Sequence, residues 1–257
     1  IGFCLVGSEM CIRDSIKYVL KIKRGILYQN HPAFYKNGSN YRYHNLKKTE
    51  LEGIDTIKDF KNESTRELTS DDYIYQIKRL ADYKNHSPIA GVMQEYIFGF
   101  SEYNKKISNA KYKSNSERIE LIKSNQIKGV EKIDNFTFSI ILKKQYPQFV
   151  YWLAMPFFSP MPWEADMFYS QPGLQEKNIT LNWFPVGTGA FKLTENNPNL
   201  RMVLEKNKNF RKEVYPSLKD KIVKRKMISY NKNKVIPFID KAIYCLLYTS
   251  PSPRDRS

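Results

Sequence analysis

Apolar and basic side chains alternate in the first regularly patterned segment of the chain, residues 16–27. Tyr18, Leu20 and Ile22 occupy alternate positions, and lysines fill positions between them. A period of two residues is typical of a strand that buries one face, so this segment is predicted to be a half-buried strand. Residues 31–64, which follow, are polar and rich in asparagine, and they predict a long loop containing one short helix.

A helical period begins at Leu68. Thr69 and Asp72 have the spacing of a capping box, in which a side chain in the first turn bonds back to the backbone at the start of the helix. Apolar side chains then recur on one helical face. The pattern therefore predicts a helix that starts at 68–70 and runs to about Ala81. The positions expected to be buried are Tyr73 or Ile74, Ile77 and Leu80.

The remaining patterned segments mix strands with helices. Further helices are predicted over 89–98, over 117–124 and from Pro147 to Met155. Two strands are predicted over 127–142, around a turn at 132–135. A turn leading into a strand is predicted over 187–193, with its hairpin partner at 202–205. Prolines 156, 160 and 162 are expected to force an extended path between these regions. Because there is no regular βαβ alternation, the chain is predicted to be α/β with a mixed sheet.

The two ends of the chain read as translations of opposite strands of one oligonucleotide. Residues 245–255 back-translate to a DNA sequence whose reverse complement encodes residues 5–14, as a sequencing adapter translated with its insert would. We therefore expect 1–15 and 245–257 to be adapter-derived and to pack against nothing specific. The cysteines, Cys4, Cys11 and Cys245, all lie in these ends, so residues 16–244 have no thiol for a disulfide, a zinc site or a nucleophile.

The chain carries a formal charge of +16, from 42 basic and 26 acidic residues. A strongly basic chain is typical of a nucleic-acid-binding module. However, 31 of the basic residues are lysine, and lysine, asparagine and isoleucine are all encoded by AT-rich codons, so base composition can explain the charge instead. No catalytic or phosphate-binding motif occurs in the sequence, and the three histidines lack metal-ligand spacing, so we expect neither catalysis nor a cofactor.

An aromatic run contains Trp152, Phe157, Phe158 and Trp163. It is compatible with core packing beneath a proline-rich turn, and also with the wall of an apolar cleft for a small molecule or peptide. A base-stacking platform is a third interpretation, although basic residues do not interleave with the aromatic ones.

Five segments together resemble the family 5 extracellular solute-binding proteins, the peptide-binding subunits of ABC importers. They are 66–82 (RELTSDDYIYQIKRLAD), 129–137 (GVEKIDNFT), 146–162 (YPQF, LAMP and SPMP), 185–193 (PVGTGAFKL, followed by VLEKN at 203–207) and 237–241 (PFIDK). The order of the segments is that of the family. Two departures are the long polar stretch 35–65 and Ala190, where the family usually has proline.

The resemblance implies a type II periplasmic-binding-protein-like lobe within a two-lobed architecture that is incomplete here. Residues 16–158 would form the smaller subdomain of the first lobe, and 159–244 part of its core leading to the hinge. The implied function is capture of oligopeptides in the periplasm, or by a lipid-anchored protein outside the cytoplasmic membrane, and delivery to an inner-membrane permease. The protein would be a monomer without catalysis, cofactor, metal or nucleic acid, and its signal peptide would lie outside this sequence.

Other members of the family bind nickel complexes, haem or sugars, so these ligands are alternatives to a peptide. A basic nucleic-acid-binding module is the alternative from a different class. Two cleft-facing family positions correspond to Ile89, after Ser87-Pro88, and Met155, before Pro156, and Trp152 is expected to lie beside them. Packing within the lobe is the alternative role for these residues. One lobe alone is expected to bind peptide weakly, because the ligand would lack an opposing wall.

Overall fold

The computed structural model describes residues 2–5, 15–197, 199–215 and 234–245. Its strands are β1 (Gly2–Leu5), β2 (Ile16–Lys21), β3 (Lys36–Asn37), β4 (Asn40–Tyr41), β5 (Val130–Asp134), β6 (Thr137–Leu142), β7 (Phe191–Asn197), β8 (Arg201–Lys206), β9 (Glu213–Val214), β10 (Val235–Ile236) and β11 (Lys241–Cys245). Its α-helices are α1 (Ser70–Leu80), α2 (Ala90–Tyr96), α3 (Phe100–Asn109), α4 (Asn115–Ser124), α5 (Phe149–Leu153), α6 (Trp163–Tyr169) and α7 (Pro172–Glu176). None of the helices within these ranges is long and apolar enough to cross a bilayer.

The main sheet has the strand order β1-β2-β6-β5. The predicted strand at residue 16 is confirmed, and its register places Tyr18 opposite Ile140 and Leu20 opposite Phe138, all four of them buried. The predicted pair of strands within 127–142 is confirmed as β5 and β6. Side chains that alternate along β2 therefore meet the buried face of β6, which is the reason for the period of two in the sequence.

The ends of the chain do not behave entirely as expected. Residues Gly2–Leu5 pair antiparallel with Tyr18–Lys21, so the prediction that 1–15 packs against nothing specific is wrong for this segment. Cys245 likewise lies opposite Arg201 at the end of β11, although it is exposed. A sheet edge presents unpaired backbone groups that any extended segment can pair with, which accounts for both contacts. Apart from Ser15, the rest of 1–15 and 245–257 lies outside the described residues.

Helix α1 confirms the strongest helical pattern in the sequence. The backbone N–H of Thr69 donates to the Asp72 carboxylate at 3.0 Å, as the capping-box spacing predicted. Ile74, Ile77 and Leu80 are buried, and Tyr73 is half-buried. The helix predicted over 89–98 is α2, that over 117–124 is α4, and that over 147–155 is the shorter α5.

Three helices and the structure of the loop 31–64 depart from the expectations. Helix α3 was not predicted, and α6 and α7 follow the proline-rich stretch, where the extended path is confined to 159–162. In the long loop 31–64, one short helix was expected. The described loop instead contains three 3-10 turns and the small hairpin β3–β4; the turns are Pro32–Phe34, Lys48–Leu51 and Ile57–Asp59.

A second sheet has the order β11-β8-β7, and its β7–β8 hairpin confirms the predicted pairing. All strand pairs in the described ranges are antiparallel, whereas a mixed sheet was expected. The combination of helices and sheets is as predicted.

Aromatic side chains from both predicted subdomains form one continuous core. The ring centroids of Tyr18 and Phe149 are 5.5 Å apart, and those of Phe60 and Phe168 are 5.2 Å apart. Phe149 and Phe168 are fully buried. Helix α6 thus packs onto the segment before residue 158, and the division at 158/159 stays a prediction.

Candidate functional site

The three residues predicted to face a ligand differ in how far they are buried. Ile89 directly precedes α2 and is only 5% exposed, within the hydrophobic core. Its carbonyl accepts a hydrogen bond from the Met93 N–H at 3.0 Å. In this conformation Ile89 offers little surface to a ligand, which favours the lobe-packing alternative for this residue.

Trp152 and Met155 lie together at the end of α5, on the surface. Trp152 is half-buried, and its Nε1 donates to the Tyr146 hydroxyl at 2.9 Å. Met155 is 46% exposed, next to Tyr151, which is 73% exposed, and Phe157. We call Tyr151, Trp152, Met155 and Phe157 the α5 edge. Exposed apolar side chains that cluster in this way are typical of a binding surface.

The aromatic run therefore has more than one role. Phe158 is buried and packs against Phe149, with their ring centroids 6.1 Å apart. Trp163 is half-buried, and the Lys123 Nζ lies 3.5 Å from its ring centroid. Core packing thus applies to Phe158, whereas Trp152 and Phe157 remain available at the surface.

An apolar groove of about 660 Å³ lies on the second sheet. We call it the sheet groove; its lining includes Phe191, Leu193, Met202, Leu204 and Tyr244. The turn at Gly187 also lines the groove. Gln29 holds this turn, since its N–H donates to the Gly187 carbonyl at 2.9 Å and its Nε2 donates to the Pro185 carbonyl at 3.1 Å. The sequence predicted only a turn and a hairpin for this segment. The alternating apolar side chains on β7 and β8 were the available signal for the groove.

A buried ionic cluster joins the start of α1 to α6. We call Arg66, Asp72, Glu164 and Tyr41 the Arg66 cluster. Arg66 Nη2 lies 2.5 Å from Asp72 Oδ1 and 2.7 Å from Glu164 Oε2, and the Tyr41 hydroxyl donates to Glu164 Oε1 at 3.1 Å. The carboxylate side chains are at most 3% exposed, and burial raises the pKa of Asp72 although Arg66 opposes the rise. With both carboxylates paired to one guanidinium, the cluster serves to hold elements together rather than to transfer protons.

His31 is a hydrogen-bonded residue of the core. Its Nδ1 accepts from the Ala33 N–H at 3.1 Å, so the proton belongs on Nε2, which lies 2.7 Å from the Tyr169 hydroxyl. That hydroxyl donates to the Phe184 carbonyl at 2.7 Å. Burial, assisted by the charge of Lys192, lowers the pKa of His31 to about 3. Within the described residues, no three His, Cys, Asp or Glu side chains are placed to hold a metal ion.

Comparison with known proteins agrees with this fold. Residues 58–232 match the family described as "Bacterial extracellular solute-binding proteins, family 5 Middle". Over 143 residues the chain is 31% identical to the periplasmic oligopeptide-binding protein OppA of Salmonella typhimurium, a region that covers 56% of this chain and 23% of that protein.

A solved structure shows the same fold. The crystal structure of the periplasmic oligopeptide-binding protein OppAIV from Borrelia burgdorferi matches with a TM-score of 0.52 at 18% identity, over 96% of this chain and 33% of that one. The predicted type II periplasmic-binding-protein-like lobe is thereby confirmed. The aligned regions span about a quarter to a third of the length of these two proteins. Because the family match covers more than half of the sequence, the chain belongs to family 5 of the bacterial extracellular solute-binding proteins.

Proposed function

We propose that this chain is part of the substrate-binding component of an ABC importer that captures oligopeptides outside the cytoplasmic membrane and delivers them to a permease. The observation that carries the proposal is the 31% identity to a periplasmic oligopeptide-binding protein over 143 residues. The protein would act in the periplasm or on a lipid anchor, as a monomer, without catalysis, cofactor or nucleic acid.

We further propose that the α5 edge forms part of the peptide-binding wall. Met155 and Trp152 offer apolar area, and the Trp152 indole is held in place by Tyr146, so its orientation is set before a ligand arrives. Methionine repacks readily against side chains of different shape, which suits a site that accepts many peptide sequences. Ile89 would support this wall from the core and would reach a peptide only if α2 moved.

A binding titration of the 257-residue chain tests the function. We expect a mixed pool of tri- to pentapeptides to produce saturable NMR shifts, whereas free amino acids of the same composition produce none. Affinity should be weaker than micromolar, because a single wall buries only part of the ligand. A nickel complex, haem and a sugar pool are titrated in parallel, and a DNA duplex is titrated at several salt concentrations.

A matched pair of variants tests the α5 edge. Met155→Ser should weaken the peptide response about fivefold, whereas Ile133→Ser, at a similarly exposed apolar position on β5, should leave it unchanged. Absence of any peptide response, together with saturation by nickel, haem or sugar, would overturn the peptide assignment. Tight DNA binding that falls steeply with salt would instead favour the nucleic-acid module.

A further inference from the structure

A second cavity, of about 640 Å³, shares no lining residue with the α5 edge and is lined by residues from both predicted subdomains. We call it the lysine pocket; its lining comes from the loop 44–51, from Lys84 and 112–116, and from 170–173. Its size is within the range of small-molecule sites, about 300–1,000 Å³.

Side-chain-to-backbone hydrogen bonds hold the walls of the lysine pocket in place. Gln171 accepts from the Leu46 N–H at 2.8 Å and donates to the Tyr43 carbonyl at 2.8 Å. Asn115 donates to the Ser170 carbonyl at 3.2 Å. These bonds tie the loop and α4 to the segment that follows α6, so the cavity is formed before any ligand binds.

The charged side chains that line the lysine pocket are positive. Among the described residues that line it, none carries a carboxylate, and two are lysines, Lys84 and Lys113. Neither pairs with a carboxylate in the part of the chain that the structure describes. Lys84 Nζ lies 4.7 Å from the Tyr112 ring centroid, and a hydrogen bond with Tyr112 raises the pKa of Lys84. The adjacent Glu117 uses its carboxylate to accept the Lys113 backbone N–H at 2.7 Å.

Hydroxyl groups and apolar side chains complete the lining. The Ser114 hydroxyl oxygen accepts from the Glu117 N–H at 3.2 Å, which leaves its O–H hydrogen free to donate to a ligand. Ser116 contributes a second hydroxyl. Leu46 and Pro172 supply apolar surface. The lining of the cavity thus offers positive charge, hydrogen-bond donors and contact for a carbon skeleton.

We propose that the lysine pocket binds the phosphate group of a small phosphomonoester. Such a group carries about −1.5 to −2 charges at pH 7 and three acceptor oxygens, which match two ammonium groups and the neighbouring hydroxyls. Lysine is suited to this role because it binds phosphate as a point charge. The proposal goes beyond peptide capture and does not depend on it.

Titration of the 257-residue chain with inorganic phosphate and with phenyl phosphate, at constant ionic strength, tests the site. We expect saturable shifts of the backbone N–H signals of residues 112–116, and tighter binding of phenyl phosphate because its ring can contact the apolar side chains in the lining. Sulfate and citrate serve as comparison anions and should bind at least fivefold more weakly than phenyl phosphate.

Variants of exposed lysines distinguish binding at this site from a general attraction of anions to a basic chain. Lys84→Gln and Lys113→Gln should each weaken phenyl phosphate binding about 5- to 10-fold, whereas Lys105→Gln, an exposed lysine on α3 outside the cavity, should change it less than twofold. Ser116→Asp should abolish binding while preserving the melting temperature, since an acidic residue is favourable in the first turn of α4.

Equal binding of all four anions, or an equal loss with Lys105→Gln, would show diffuse attraction and overturn the proposal. So would the absence of saturable shifts at about 10 mM phenyl phosphate. A double variant, Lys84→Gln with Lys113→Gln, that loses phenyl phosphate but keeps the peptide response separates this proposal from the peptide-binding function.

Discussion

Lowering the pH from 7 to 5 is expected to destabilise the protein through His31. The folded state holds this imidazole neutral, with a pKa of about 3, against an ordinary value of 6.5. The unfolded chain takes up a proton below pH 6.5 and the folded protein does not, so stability is present above pH 6.5 and is lost as the pH falls. The free energy of unfolding should fall by about 1.4 kcal/mol per pH unit below 6.5, or about 2 kcal/mol at pH 5.

Urea unfolding, followed by tryptophan fluorescence at pH 7 and pH 5, measures this loss. Burial also lowers the pKa of His44, and it raises that of Asp72, so the wild-type slope alone does not isolate His31. The comparison is therefore with His31→Gln, whose amide can still donate to Tyr169 and whose free energy of unfolding should lose about 2 kcal/mol less between the two pH values. Equal slopes in both proteins would refute the reasoning. So would an NMR titration of the wild type in which the His31 ring takes up a proton between pH 7 and pH 5.

Two further predictions concern the buried ion pairs of Arg66 and the tight packing around Gly129. Arg66→Met should reduce the free energy of unfolding by about 3–5 kcal/mol, because it leaves the two buried carboxylates of the Arg66 cluster unpaired. Arg42→Met, which breaks an exposed ion pair, should have little effect in the same urea experiment, and equal losses in the two variants would contradict the argument. Gly129→Ala should lower the melting temperature, with a cost of about 1–3 kcal/mol, because its Cβ would lie 2.5 Å from the Phe98 carbonyl oxygen. Gly91→Ala, with open space around it in α2, should instead stabilise the protein by about 0.5–1 kcal/mol, and a loss similar to that of Gly129→Ala would show that tight packing is not the cause.

Local signals in the sequence were sufficient where several of them agreed. Thr69 and Asp72 marked the start of α1, and the apolar face that follows fixed its extent. The β2 strand was equally clear, because its alternation reflects one buried face, and β6 was clear because it is rich in β-branched and aromatic residues. In these elements the residue pattern, the backbone preference and the burial all specify the same structure.

The missed helices lacked such agreement. Helix α3 begins after Gly99, which has a φ of +75°, and no side-chain cap marks its start. Its buried residues Phe100, Tyr103 and Ile107 nevertheless have helical spacing, and this was the signal that could have found it. Helix α6 has buried residues on almost every side, so it shows no amphipathic period, and the preceding prolines indicated an extended path.

The sites depend on contacts that no local pattern reveals. Arg66 and Glu164 are 98 positions apart in the sequence, and the lysine pocket brings Lys84 beside residues from after α6. The net charge of +16 did not indicate which lysines line a cavity. Family resemblance assigned Ile89 and Met155 alike to the cleft, with packing within the lobe as the alternative, and it could not indicate that Ile89 is buried whereas Met155 is exposed.

The pairing of β1 with β2 has a consequence for how the protein behaves in concentrated solution. Antiparallel pairing uses backbone groups that every residue except proline carries, so β2 accepts an extended segment whatever its side chains are. Removing residues 1–15 therefore bares an edge that strands of other molecules can extend, which is a route to aggregation. Lys21 and Lys23 lie exposed at the end of this edge and act as gatekeepers, since two such edges repel each other. Added salt screens that repulsion, so a shortened chain should stay dispersed only at low ionic strength.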